Sequence, residues 1–163
     1  MQMLKDAILE RGKALNQDIL LVDSFLNHQV DVALMKAVGE TFAEHFAKSS
    51  SRLWPLWKAF TALALGLTIV IMKKQTSRIL NGDLLQTTVR SFTKGTEYQL
   101  SVKHEFLNAD DNILLIDDFL ASGEAAFGVI TLAEQVGAKI SGVGIVIEKA
   151  FQSGHKRLED AGI

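Results

Sequence analysis

The segment 112–128, NILLIDDFLASGEAAFG, constrains this chain more than any other. Ile113, Leu114, Leu115 and Ile116 are apolar at four successive positions, so a strand built from them presents apolar side chains to both faces of its sheet. Such strands lie inside parallel sheets covered by helices on both sides. Two acids follow at once, Asp117 and Asp118, and then the loop Ala121-Ser122-Gly123-Glu124-Ala125. The loop opens a helix predicted over 123–136 and stopped by Gly137. A second buried strand over 140–147 completes a βαβ unit, and a last helix begins at Gly154.

This order has a chemical meaning. Ligands of open α/β sheets bind beyond the carboxyl ends of strands. A helix start offers backbone N–H groups and partial positive charge to a phosphate, and small residues let that backbone come close. Carboxylates do not suit the phosphate itself, but they accept hydrogen bonds from the hydroxyls of an attached ribose. The residues therefore read as a ribose-5-phosphate site, with 121–125 on the phosphate and Asp117 and Asp118 toward the sugar.

The rest of the chain supplies the frame. Leu4, Ile8 and Leu9 predict a first helix closed at Gly12, followed by a short apolar segment over 18–22. Leu34, Val38, Phe42 and Phe46 recur every four residues from Asp31, an N-cap, to Lys48. Lys36, Glu40 and Glu44 mark the wet side of that helix. The apolar stretch 53–72 invites a membrane reading, but its uninterrupted part, 59–72, is 14 residues, against the ~20 a span requires. It reads instead as a buried helix over 56–65, a stop at Gly66 and a buried strand over 67–72. Trp54, Trp57 and Phe60 read as core. Asn81–Gly82 is a turn signal, and 84–93 and 97–104 form a half-exposed antiparallel hairpin around Lys94–Gly95.

Composition closes off other classes. No cysteine is present, so disulfides, thiolate nucleophiles and zinc knuckles are excluded. A net charge of −2 leaves no polybasic footprint for nucleic acid. His28, His45, His104 and His155 show no metal-ligand spacing. With 163 residues and no repeat or linker, the expectation is one cytoplasmic domain with no signal peptide.

The pattern of four apolar residues, two acids, two apolar residues and a small-residue loop resembles the phosphoribosyl-diphosphate signature of the type I phosphoribosyltransferases. LVDSFLNHQVD (21–31), SFTK (91–94), IDDFLASGEAA and GVGIVIEKAFQ (142–152) together resemble the bacterial xanthine phosphoribosyltransferases. The resemblance implies an α/β fold with a mainly parallel sheet flanked by helices, an antiparallel hairpin and a small N-terminal hood over 1–30. It implies transfer of phosphoribosyl from phosphoribosyl diphosphate to xanthine, giving xanthosine monophosphate and pyrophosphate, by a homodimer. The 5-phosphate falls to Ala121, Ser122, Gly123, Glu124 and Ala125, with Asp117 and Asp118 as the catalytic pair on the ribose. Xanthine falls to Leu20, Asn27 and Lys149, and Mg²⁺ accompanies the diphosphate. Lys73 and Lys74 are candidates to steady the pyrophosphate or to join a closing loop. Read without the resemblance, Asn27 is equally a turn cap, Lys149 a strand end, and Lys73–Lys74 a solvated pair.

Three departures qualify the resemblance. The long helix runs straight into SSSRLWPLWKAF, with Arg52 where glycine is expected and Trp54 where a small residue is expected, so a central strand is expected to be short of residues and the pyrophosphate path crowded. The core 31–163 is expected to be incomplete at its C-terminus. Glu124 replaces an uncharged residue and should repel phosphate unless it turns to solvent. A non-catalytic relative that binds phosphoribosyl diphosphate or nucleotide as a sensor is the alternative that these departures favour.

Overall fold

The computed structural model describes residues 1–47, 52–53, 57–74, 83–91 and 95–163, without the side chains of 52, 53, 57, 58 and 91. The elements in chain order are α1 (Gln2–Arg11), β1 (Lys13–Ala14), β2 (Leu20–Leu21), a π-turn (Asp23–Asn27), α2 (Val32–Phe46), β3 (Arg52–Leu53), α3 (Trp57–Leu65) and β4 (Thr68–Ile69). They continue with β5 (Leu84–Ser91), β6 (Thr96–Lys103), β7 (Asn112–Leu120), α4 (Glu124–Val136), β8 (Lys139–Glu148) and α5 (Gly154–Asp160).

β7 lies inside a sheet of order β4-β3-β7-β8 whose pairings are all parallel. Its alternation sends Ile113 and Leu115 to one face, into a core with Val129, Ile130, Leu132 and Ala133 of α4. Leu114 and Ile116 go to the other face, beside Phe42 and Phe46 of α2 and Ala62 of α3. Glycine makes the second contact possible. A Cβ on Gly142 would stand 2.8 Å from the Phe46 ring, and one on Gly144 would stand 3.1 Å from the Phe42 ring and 2.5 Å from Ile116. Where β8 skips a residue against β7, Ser141 Oγ donates to the Ile113 carbonyl at 2.9 Å.

The hairpin β5–β6 pairs Leu84 with Lys103 through to Ser91 with Thr96 and covers α4. Gly128 of α4 lies under Val89 and Leu100 so closely that a Cβ there would meet Val89 at 2.5 Å. The N-terminal elements form a separate small cap. β1 and β2 pair antiparallel, and Val22, Phe25 and Leu26 pack with Leu34, Met35 and Ile147.

Several expectations need correction. The central strand expected to be short is so among the described residues: only Arg52 and Leu53 form it, yet they pair in parallel with β4 on one side and with Ile113 and Leu114 of β7 on the other. The strand expected over 67–72 reduces to Thr68–Ile69, with Thr68 exposed, at the edge of the sheet formed by the described residues, where β3 pairs with it. The helix expected to be buried has one wet side, with Leu63 80% exposed. No helix among the described residues is long and apolar enough to cross a membrane. Strand β8, at the other edge of the sheet among the described residues, is half-buried for most of its length. Gly12 does cap α1 as expected, in an extended conformation (φ −73°), its N–H donating to the Ile8 carbonyl at 2.9 Å. The Asn81–Gly82 turn, Lys48, Ser49–Ser51, Trp54, Pro55 and Lys94 lie outside the described residues.

Asp31 begins α2 as the sequence predicts. Its Oδ1 accepts the Leu34 N–H at 3.0 Å, and its Oδ2 meets Arg11 at 2.9 Å. The Leu34 hydrogen bond, with Arg11 second, holds its carboxyl below the ordinary 3.8. A lowered folded-state pKa gives stability that is present above the unfolded value and lost as pH falls through the folded one. Acid titration of stability checks this. Wild type should lose stability as pH falls below 3.8, and Asp31→Asn should lose less over the same range. Parallel acid profiles would contradict the cap.

Candidate functional site

β7 ends at Leu120, and the chain turns through Ala121 and Ser122 to Gly123, which takes the left-handed conformation (φ +85°) and caps α4 without any side-chain hydrogen bond. Only glycine adopts that conformation without strain. The N-cap position thus offers no side-chain hydrogen bond to the first N–H groups of α4. A cavity of about 380 Å³ opens at this turn, lined by all five loop residues together with Asp117, Phe119, Tyr98, Arg90 and Lys74. Two cations and two carboxylates thus share one wall-lined space.

α5 braces the loop from behind. The Gly154 N–H donates to the Ala121 carbonyl at 3.0 Å, and a Cβ on Gly123 would come within 3.4 Å of Gly154 Cα. Arg157 Nη1 donates to the Ser122 carbonyl and reaches Glu124 Oε1 at 2.5 Å. The carboxylate expected to repel phosphate unless it faced solvent is therefore neutralised by an ion pair instead. Burial, followed by the charges of Asp117 and Glu124, raises the pKa of Tyr98 above 10.0, so its hydroxyl stays protonated at neutral pH and can donate to a ligand.

The two paired motifs separate. Asp117 lines the cavity, whereas Asp118 does not, and its Oδ1 accepts the N–H of Phe119 at 3.0 Å. Lys74 lines the cavity, with Nζ 5.6 Å from the Tyr98 ring centroid. Lys73 bridges Ser101 through its backbone and lines a different cavity beside β6. Neighbours on extended chain point to opposite sides, and both pairs obey that rule.

Of the residues that the resemblance assigns to the base, Leu20 and Lys149 lie at the junction of cap and sheet. Leu20, partly buried, packs in the same apolar cluster as Phe119 and Ile147. Lys149 has its Nζ 5.9 Å from the Phe119 ring centroid and donates to the Asp18 carbonyl at 2.6 Å, a bond across 131 positions of sequence. Its own N–H donates to the Leu120 carbonyl at 2.8 Å, fastening it to the strand that carries the acids. Asn27 closes the π-turn and is exposed, with its amide 3.5 Å from Asp23 Oδ1. Phe119, which lines the cavity and packs against the cap cluster, lies between the two.

No family model matches the chain. Among curated proteins, a xanthine phosphoribosyltransferase from Clostridium botulinum is 52% identical over 171 aligned positions, which cover 99% of this chain and 89% of the relative. The chain belongs to the xanthine phosphoribosyltransferases. A second xanthine phosphoribosyltransferase, from Bacillus licheniformis, is 46% identical over 172 positions, covering 100% of this chain and 88% of its own. Among solved structures, an APRTase from Giardia lamblia complexed with 9-deazaadenine superposes with a TM-score of 0.80 over 96% of this chain and 91% of its own, at 20% identity. An adenine phosphoribosyltransferase from Thermoanaerobacter pseudethanolicus gives 0.78 at 17% identity, over 96% and 94%. Identities that low show the fold, which is that of the type I phosphoribosyltransferases.

Sequence reasoning about this xanthine phosphoribosyltransferase family member missed Tyr98, Arg90, Phe119 and Arg157. Tyr98 carries a faint signal, as the one polar-tipped residue on the buried face of a predicted strand. Arg157 carries none, lying 33 positions from Glu124 in a short charged helix.

The tight seat of α5 against the loop is directly testable. A Cβ on Gly154 would fall 2.3 Å from the Ala121 carbonyl oxygen and 2.9 Å from Leu120. Gly154→Ala should lower stability by about 1–3 kcal/mol, as overpacking does. A denaturant titration measures this, and an unchanged midpoint would contradict the contact.

Proposed function

We propose that this chain transfers the phosphoribosyl group of phosphoribosyl diphosphate to xanthine, with the 380 Å³ cavity as the phosphoribosyl site. The observation that carries the reading is the left-handed Gly123 turn, which brings a helix start without a side-chain cap, Asp117 and two cations to one space in a chain so closely related to named xanthine phosphoribosyltransferases. Ala121, Ser122, Gly123, Glu124 and Ala125 form the phosphate cradle. Asp117 accepts from the ribose hydroxyls, with Asp118 beside it at the strand end. Lys74 and Arg90 face the pyrophosphate.

The base enters from the cap, 1–30, over the core, 31–163. Lys149 reorients from the Asp18 carbonyl to an exocyclic oxygen of the purine, and Asn27 supplies the donor-and-acceptor amide that a purine edge requires. Leu20 and Phe119 provide the apolar surface for the ring. The bond from the anomeric carbon to the pyrophosphate oxygen breaks as the bond to the purine nitrogen forms. Positive charge develops on the sugar and negative charge on the leaving group, so rate comes from holding the partners in line and from fixed charges around them.

Mg²⁺ fits this site as a companion of the substrate. Among the described residues no three acidic or histidine side chains converge on one point. Mg²⁺ is commonly held by one or two carboxylates plus substrate phosphates, and Asp117 is placed to supply one. When bound, it offsets charge on the diphosphate. The same reading includes a homodimer, for which Ile71 and Phe106, 53% and 48% exposed, offer apolar surface beside β4 and β6.

Purified protein given phosphoribosyl diphosphate, Mg²⁺ and one purine at a time should form xanthosine monophosphate with xanthine faster than the corresponding product with guanine or hypoxanthine. Asp117→Asn should lower kcat/KM for phosphoribosyl diphosphate by about 10- to 100-fold, as expected for a lost charge-assisted hydrogen bond. No turnover by folded wild-type protein would overturn the assignment.

A further inference from the structure

Three contacts converge on Arg157 of α5. Its Nη1 donates to the Ser122 carbonyl and to Glu124 Oε1, and its guanidinium lies 4.5 Å from the centroid of the Phe127 ring. Ser122 and Glu124 flank the left-handed Gly123, and Phe127, four positions after Gly123, closes the first turn of α4. One side chain therefore grips the loop on both sides of its hinge and the helix that the loop opens. The pair is half-sheltered, with Arg157 37% and Glu124 24% exposed, so water screens it only partly.

Both bonds bear on an anion in the cradle. Glu124 stands at the helix start, where a carboxylate is attracted to the same N–H groups that hold a phosphate. It lines the cavity, so its charge acts there unless it is balanced. The Ser122 carbonyl belongs to the peptide that carries the Gly123 N–H, and in a planar trans peptide the two point opposite ways. Fixing the carbonyl toward Arg157 fixes that N–H on the other side.

We propose that Arg157 is a positioning residue for the 5-phosphate: it cancels the charge of Glu124 and sets the Ser122–Gly123 peptide, while touching no substrate itself. The inference rests on the reading of the cavity as a phosphoribosyl site. It assigns to α5 a part in substrate affinity, and it explains how a carboxylate is tolerated in a phosphate loop.

The test is a double-mutant cycle read by steady-state kinetics and by calorimetric binding of phosphoribosyl diphosphate with Mg²⁺. Arg157→Gln should raise KM and Kd for phosphoribosyl diphosphate about tenfold, the size expected for one partly exposed charged hydrogen bond, and leave KM for xanthine unchanged. Adding Glu124→Gln to that variant should restore Kd to within about threefold of wild type, since nothing then remains to be neutralised. A merely structural Arg157 would not be rescued by removing its partner's charge. Unchanged affinity in Arg157→Gln, or a loss that the second substitution leaves in place, overturns the proposal. Should Arg157→Gln melt without cooperativity, Glu124→Gln alone decides: binding at least as tight as wild type supports the proposal, and weaker binding overturns it. Folded wild type that binds no phosphoribosyl diphosphate would instead remove the functional reading on which the inference rests.

Discussion

The whole arrangement depends on burying both faces of β7. A strand with Leu114 and Ile116 on one side and Ile113 and Leu115 on the other cannot leave either face to water, so it requires a helical layer above and below. α2 and α3 supply one layer, and α4 with the hairpin supplies the other. The backbone polar groups of so buried a strand also need partners along its edges. β8 provides them over most of the length, while β3 meets Ile113 and Leu114. From Asp117 to Phe119 the strand is only partly buried, and there Asp117 and Phe119 line the cavity.

Charge in the cavity is arranged as balanced pairs rather than as a bare positive well. Asp117 and Glu124 line the same space as Lys74 and Arg90, and Arg157 reaches Glu124 from behind the loop. A ligand carrying both hydroxyl donors and phosphate acceptors matches that mixture better than a simple anion does. The cap is joined to this space through Lys149, whose side chain touches Asp18 while its backbone is bonded to Leu120.

Much of this was legible in the sequence. Long periodic elements, α2, α4, β5, β6 and β7, lie within a few residues of where spacing places them, because each buries a full stripe or face. The two-residue strand β3 was not legible as an element, and β4 was legible in place but not in length, since two residues show no period and their extent is set by the neighbours that pair with them. The side-chain alternation of extended chain implies that adjacent acids, and adjacent lysines, diverge; reading Asp117–Asp118 and Lys73–Lys74 as units passed over that rule. The departure at Glu124 was visible as a charge in the wrong place, but its remedy was not. Arg157 is remote in sequence, and only the packing of Gly154 on Ala121 brings it to the loop.

The most direct test of the central claim, that the turn at Gly123 forms a working phosphoribosyl site in a folded chain, is a thermal unfolding curve with and without xanthosine monophosphate. At a hundred times its dissociation constant, the nucleotide should stabilise the folded state by about 2.7 kcal/mol and move a single cooperative transition upward. Ribose without phosphate should leave that transition in place. A cooperative transition indifferent to the nucleotide would contradict the account.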